Sequence, residues 1–205
     1  MYFLISTLYL NSNLNNLRKF EMLNFKLSKA TLKTLASFHN IKTVSADVLP
    51  VFETMIIEFV SEIVSKSLVF ANKRTIPVKR LYIEDVQNAC STIFKRKPLT
   101  LTENSNMSLE LRHKMTTDVV EKWKRIMKPE NSDSAFTLQL HYSSFHKLVE
   151  NVMRECGFEI QIGSSALELI QNETEYFLYA VLKQCKTDMA KKRVETLSTK
   201  MFRCM

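Results

Sequence analysis

The chain has 205 residues, of which only 2 are Gly and 4 are Pro, where an average soluble composition of about 7% Gly would give roughly 14. Strand-rich folds turn often and use Gly to do so, so this composition argues against a sandwich, a barrel or a Gly-rich phosphate loop and for an all-α fold. The net charge of +8 is uneven, with 14 Lys/Arg against 7 Asp/Glu in residues 1–100 and 15 against 14 in residues 101–205; this balance suits an anionic partner such as nucleic acid and equally a solvated basic surface.

In chain order, Met1–Leu10 is apolar but too short to span a bilayer, and it lacks the basic start and cleavage site of a signal peptide. Asn11–Asn16 reads as loop, and Met22 is a candidate start of the working chain. Leu32, Leu35 and Ala36 predict a short helix, and Asn40–Ser45 breaks it. Val48, Phe52, Met55, Ile56, Phe59, Val60, Ile63 and Val64 follow a 3.6-residue period and predict a long amphipathic helix. Asn72–Pro77 interrupts it, and Leu81, Val86, Ala89, Cys90 and Ile93 predict a third helix.

Residues 98–115 are polar and aperiodic and read as a linker. Thr116–Lys128 predicts a further helix, with Val119, Val120, Trp123 and Met127 on one side. The short–long–short order then returns. Phe145, Leu148, Val149 and Val152 predict a short helix, and Gly157–Ser164 a loop. Ala166, Leu169, Ile170, Phe177, Val181 and Leu182 predict a second long helix, interrupted at Lys191–Val194 and followed by a curtailed last helix over Ser198–Met205.

The expected organisation is an N-terminal extension (1–25), a first half (26–97), the linker (98–115), an extra helix and loop (116–140) and a second half (141–205). Ser45 to Arg74 and Ser164 to Arg193 each span 29 positions, with both offsets 119, which marks an internal repeat. A half of this kind leaves the apolar face of its long helix only partly covered. Two halves packed head to tail bury both faces and set the first loop of each beside the second loop of the other.

Little in the chain suggests catalysis. Cys90, Cys156, Cys185 and Cys204 form no CxxC unit and, with His39, His113, His141 and His146, no zinc spacing; they read as reduced thiols in an intracellular protein. Nucleophile-elbow, HExxH and Walker patterns are absent. Glu173 and Glu175 read as part of a solvated helix face. The expectation is a non-enzyme with no cofactor and no metal.

Several runs carry a resemblance. In the first half these are Lys29-Ala-Thr-Leu-Lys-Thr-Leu-Ala36, Ile41-Lys-Thr-Val-Ser45, Lys73-Arg-Thr-Ile76 and Glu84-Asp-Val86 with Ala89. In the second they are Phe145-His-Lys-Leu-Val149, Ile162-Gly-Ser-Ser-Ala166, Ile170-Gln171, Glu175 and Ala190-Lys-Lys-Arg-Val194. The first half resembles core histone H-four and the second core histone H-three, with Thr116–Lys128 similar to the extra helix that precedes the H-three fold. The fused pair is similar to the histone doublets of large DNA viruses. Fusion makes an obligate heterodimer intramolecular, at an effective concentration set by the linker.

The resemblance implies two histone folds paired as an intramolecular pseudo-heterodimer that packages duplex DNA without sequence specificity. Histones hold DNA through paired loops, helix N-termini and inserted Arg, without base-specific contacts. One implied loop pair is Lys42, Thr43 and Ser45 with Lys191, Lys192 and Arg193. The other is Lys73, Arg74 and Thr75 with Gln161, Ser164 and Ser165. Lys29, Lys33 and Lys147 are implied phosphate contacts on the short helices. Cys185, Asp188, Met189, Arg193 and Lys200 fall on the implied H-three-type dimer or tetramer contact. Implied partners are double-stranded DNA, H-two-B/H-two-A-like histones or a doublet of them, and a second copy of this chain, with no membrane. Implied locations are the nucleus and chromosome, a virion interior or a cytoplasmic viral factory.

The chain also departs from the family. Thr43 and Gln161 stand where H-four and H-three place minor-groove Arg. Residues 1–25 carry only Arg18, Lys19 and Glu21 as charged groups, in place of a basic Gly/Lys tail. Lys200 replaces an acid that pairs with Arg across the H-three contact, so Arg193 would meet a like charge there. These departures favour a second reading, a histone-fold scaffold in a transcription or chromosome-associated complex with little DNA wrapping. The basic runs at Lys73-Arg74 and Lys191–Arg193 favour packaging.

Overall fold

The computed structural model describes residues 23, 25–74, 78–94 and 139–202. Five α-helices and four two-residue strands occur among them. The first half runs α1 (Lys29–Ser37), β1 (Thr43–Val44), a 3-10 turn (Ala46–Val48), α2 (Leu49–Asn72), β2 (Arg80–Leu81) and α3 (Ile83–Phe94). The second runs α4 (Tyr142–Glu155), β3 (Gln161–Ile162), α5 (Ser164–Lys192), β4 (Thr196–Leu197) and a 3-10 turn (Thr199–Met201). The all-α expectation therefore holds for the described residues. The expected linker and the Thr116–Lys128 helix lie outside them, as do the Met22 start and Cys204.

Local chemistry accounts for the helix ends. Ser28 caps α1 by accepting the Thr31 N–H at 2.9 Å. Pro50 falls in the first turn of α2, where a missing N–H costs no helical bond. Three helices stop in the same way, with a residue of positive φ following the helix: Asn40 (55°), Gly157 (83°) and Arg193 (54°). In each, the next residue donates back to the carbonyl five positions earlier: Ile41 to Ala36, Phe158 to Met153 and Val194 to Met189. Asn and Gly adopt this backbone readily, whereas Arg193 does so against its Cβ.

The chain divides into two compact bodies, and neither coincides with a sequence half. Among the described residues, the first comprises those up to Phe59, Gln139–Leu148 and 174–202; the second comprises 60–74, 78–94 and Val149–Glu173. Residues 49–59 of α2 thus belong to the first body and 60–72 to the second, and α5 divides likewise after Glu173.

Within the first body, β1 pairs in parallel with β4, Thr43 opposite Thr196 and Val44 opposite Leu197. Its core includes Leu32, Val48, Phe52, Phe145, Leu182 and Leu197, all at most 3% exposed. Phe59 stacks on Phe177 with ring centres 4.4 Å apart. Within the second body, β2 pairs in parallel with β3, Arg80 opposite Gln161 and Leu81 opposite Ile162. Its core includes Ile63, Val64, Leu81, Val86, Val152 and Ala166. Each buried Leu, Ile or Phe contributes roughly 1.5–3 kcal/mol, so both cores draw their stability from both halves of the sequence.

Two boundaries read from the sequence move. Leu23 and Phe25, assigned to an extension, are 8% and 5% exposed, and the neighbouring Leu27 N–H donates to Glu53 at 2.9 Å. Leu140, assigned to the loop before the second half, is 3% exposed. The solvated face expected at Glu173 and Glu175 is a buried one, each residue being 1% exposed. The Glu175 carboxylate accepts the N–H groups of Gln139 and Leu140 at 2.8–2.9 Å, and these charge-assisted bonds offset part of its desolvation.

Candidate functional site

The two parallel strand pairs bring together the loops that the resemblance implied, first with second and second with first. In the first body, the β1–β4 pair is tied across the loops by an acid. Ser45 N–H donates to the Leu197 carbonyl at 2.9 Å. Asp47 accepts the Thr199 hydroxyl at 2.6 Å and its N–H at 3.2 Å. The hydroxyls of Ser45 and Thr199, followed by the Thr199 N–H, hold the Asp47 carboxyl down to about 2. Ser45, implied as a phosphate contact, is half-buried.

The cations of this pair stay at the surface. Lys42, Thr43, Lys192 and Arg193 are exposed, and Lys191 approaches Asp188 at 3.9 Å while remaining 72% exposed. Lys29 and Lys33 on α1 and Lys147 on α4 are exposed as well. Such a surface offers charge to an anionic polymer without the desolvation that buried ion pairs require.

The β2–β3 pair in the second body is built differently. Gln161 N–H donates to the Lys79 carbonyl at 3.2 Å, and Gly163 N–H to the Leu81 carbonyl at 3.0 Å. A methyl group at Gly163 would stand 3.3 Å from the Leu81 carbonyl oxygen, so this glycine allows the close approach of the strands. Arg74, implied as a phosphate contact, is turned onto its own chain. Its guanidinium donates to Asp85 at 2.7 Å and to the Arg80 carbonyl at 3.1 Å, and it lies 4.7 Å from the centre of the Tyr82 ring. Burial pushes the Asp85 carboxyl up, while the Tyr82 N–H and the Arg74 guanidinium pull it back toward the charged form. Asp85 also accepts the Tyr82 N–H at 2.9 Å, closing the start of α3 as a capping-box acid does.

Sequence spacing therefore matched the wrong basic pair to this strand pair. Lys79 and Arg80, both exposed, occupy it, whereas Lys73-Arg74 follows directly on α2. Seven residues separate α2 from β2 and only three separate α5 from β4. The strands accordingly repeat at offsets of 118 (43 to 161) and 116 (80 to 196), not 119. The signal available in the sequence was the basic pair immediately before Leu81. Lys73 is exposed, its ammonium 5.2 Å from the Phe70 ring centre. Thr75 lies outside the described residues.

Across β2, Gln161 is exposed, and Ser164 opens α5, whose first turn carries no acid. Ser165 is half-buried. An acid-free helix start leaves N–H groups available to anions.

The implied dimer or tetramer contact is only partly at the surface. Cys185 and Met189 are 0% and 2% exposed, which corrects their assignment to it: both side chains belong to the core of their own body. Burial pushes the Cys185 thiol up to about 12, far from thiolate chemistry. Asp188 is half-buried and accepts from Gln184 at 3.0 Å, and Arg193 and Lys200 are exposed. No cluster of metal-ligating side chains occurs among the described residues, and no described helix is long and apolar enough to cross a membrane. The chain matches no protein-family model and no curated protein.

Proposed function

We propose that this chain is a histone-like DNA-packaging protein, its two halves paired as histone folds within one polypeptide. The observation that carries this reading is the reciprocal loop pairing, β1 with β4 and β2 with β3, with exposed cations at both pairs. That arrangement supplies repeated, sequence-independent contacts to a duplex bearing one charge per about 1.7 Å. Lys42, Lys79, Lys192 and Arg193 contact phosphates. The open start of α5 adds N–H donors. H-two-B/H-two-A-like partners complete a nucleosome-like particle in viral chromatin, whether in a nucleus, a viral factory or a virion.

The test is duplex binding as a function of salt, followed by nuclease digestion of the complex. Packaging gives sequence-independent affinity whose logarithm falls by about 0.9 per neutralised phosphate against log salt, and a discrete protected length. No binding at low salt, alone or with partner histones, would defeat it. A second reading, a histone-fold scaffold with little wrapping, draws on the turn of Arg74 onto Asp85. It gives weak duplex binding and no protected length.

A further inference from the structure

Arg80 is restrained along its whole length. Its backbone lies in the β2–β3 ladder opposite Gln161, and its carbonyl accepts from Arg74 at 3.1 Å. Its Cδ lies 3.9 Å from where a Gly163 methyl would stand, so its stem runs over the bare backbone of Gly163. Its guanidinium donates to the Gln161 side-chain oxygen at 2.8 Å. Gln161 is neutral, so it orients the guanidinium without cancelling its charge, as a carboxylate would. The group remains at the surface, with most of its five N–H donors unused by this bond.

A phosphate contact does not call for such restraint, since a mobile ammonium suffices and Lys79 is adjacent. A held, planar, weakly hydrated guanidinium matters where a cation must enter a confined, negative space. The narrow minor groove of A-tract DNA is such a space, and side-chain ordering paid in advance favours binding there. The resemblance sets an inserted arginine at the position of Gln161. In this chain the cation stands directly across the ladder.

We propose that Arg80 inserts into the DNA minor groove and that Gln161 is its positioning residue, so that the groove cation of this loop pair has moved to the opposite strand. The proposal rests on the DNA-packaging reading above. Its signature is a preference for narrow grooves, separate from total charge.

The test compares the full chain on two duplexes of equal length, one with phased A-tracts and one G·C-rich, by fluorescence anisotropy over a salt series. The unaltered chain binds the A-tract duplex more tightly. Arg80→Ala brings the affinity ratio to one and lowers the salt slope by about 0.9. Arg80→Lys keeps the slope and lowers the ratio, as does Gln161→Ala. Lys79→Ala lowers the slope by about 0.9 and keeps the ratio. Circular dichroism confirms equal helix content, and the two partial variants carry the test should Arg80→Ala unfold. Binding with a ratio that Arg80→Lys and Gln161→Ala leave unchanged overturns the assignment alone. No binding to either duplex overturns the packaging reading, and this assignment with it.

Discussion

The two strand pairs share a parallel geometry and differ in which charges hold them. At β1–β4 the cross-loop tie is an acid, Asp47 on Thr199, and the cations remain at the surface. At β2–β3 the cross-loop tie is a guanidinium, Arg80 on Gln161, while Arg74 is turned onto Asp85 of its own half. A count of Lys and Arg in a loop is therefore no count of cations available to a ligand. The first pair offers mobile charge. The second offers one arginine fixed in place and another withdrawn into the fold.

Around the second pair, removing the acid that holds Arg74 has the largest effect on stability. Asp85→Ala leaves the Tyr82 N–H without its acceptor and Arg74 without its counter-charge, and lowers stability by about 2–3 kcal/mol, read from urea unfolding. A loss below about 0.5 kcal/mol would show that Arg74 is not a structural tie. Gly163→Ala presses a methyl on the Leu81 carbonyl at 3.3 Å and costs about 1 kcal/mol. An unchanged urea midpoint would show that the strand approach has slack.

At the first pair the effects on stability are smaller and those on binding larger. Arg193→Gly relieves the positive φ of 54° and raises stability by about 0.5 kcal/mol after the added chain entropy, while lowering the salt slope of duplex binding by about 0.9. Stability and binding thus move in opposite directions at one residue. A fall in both would mean that Arg193 braces the loop.

The smallest effect concerns pH. Asp47 titrates at about 2 when folded against an ordinary 3.8. Its carboxyl is held down, so its contribution is complete above pH ~4 and is lost as pH falls through about 2. Asp47→Ala lowers the melting temperature slightly at neutral pH, and the two proteins converge near pH 2. Parallel pH profiles would contradict the Asp47–Thr199 tie.

The short–long–short order of the first half, the short–long order of the second and the reciprocal loop pairing are legible in the sequence, whereas the last helix expected over Ser198–Met205 is a 3-10 turn at Thr199–Met201, with 203–205 outside the described residues. Apolar period reports helices directly, and Phe52, Ile56, Phe59 and Ile63 are buried where the 3.6-residue repeat put them. Spacing does not show the longer connection after α2, so it pairs Lys73-Arg74 with Lys192-Arg193 and passes over Lys79-Arg80. Burial of Glu173 and Glu175 was hidden for another reason. Glu175 is satisfied by backbone N–H groups 35 and 36 positions away, and no local pattern records them. Leu23 and Phe25 likewise lack a periodic neighbourhood that would mark them as core.

The packaging proposal sets the exposed cations at the first strand pair on DNA phosphates. It is tested by the salt dependence of duplex binding for the full chain against Lys42→Ala/Lys192→Ala/Arg193→Ala. The expected result is a steep slope for the unaltered chain and a reduction of roughly 0.9 for each removed charge, with helix content unchanged. An unaltered slope in the triple variant, or no duplex binding at low salt by either protein, would contradict it.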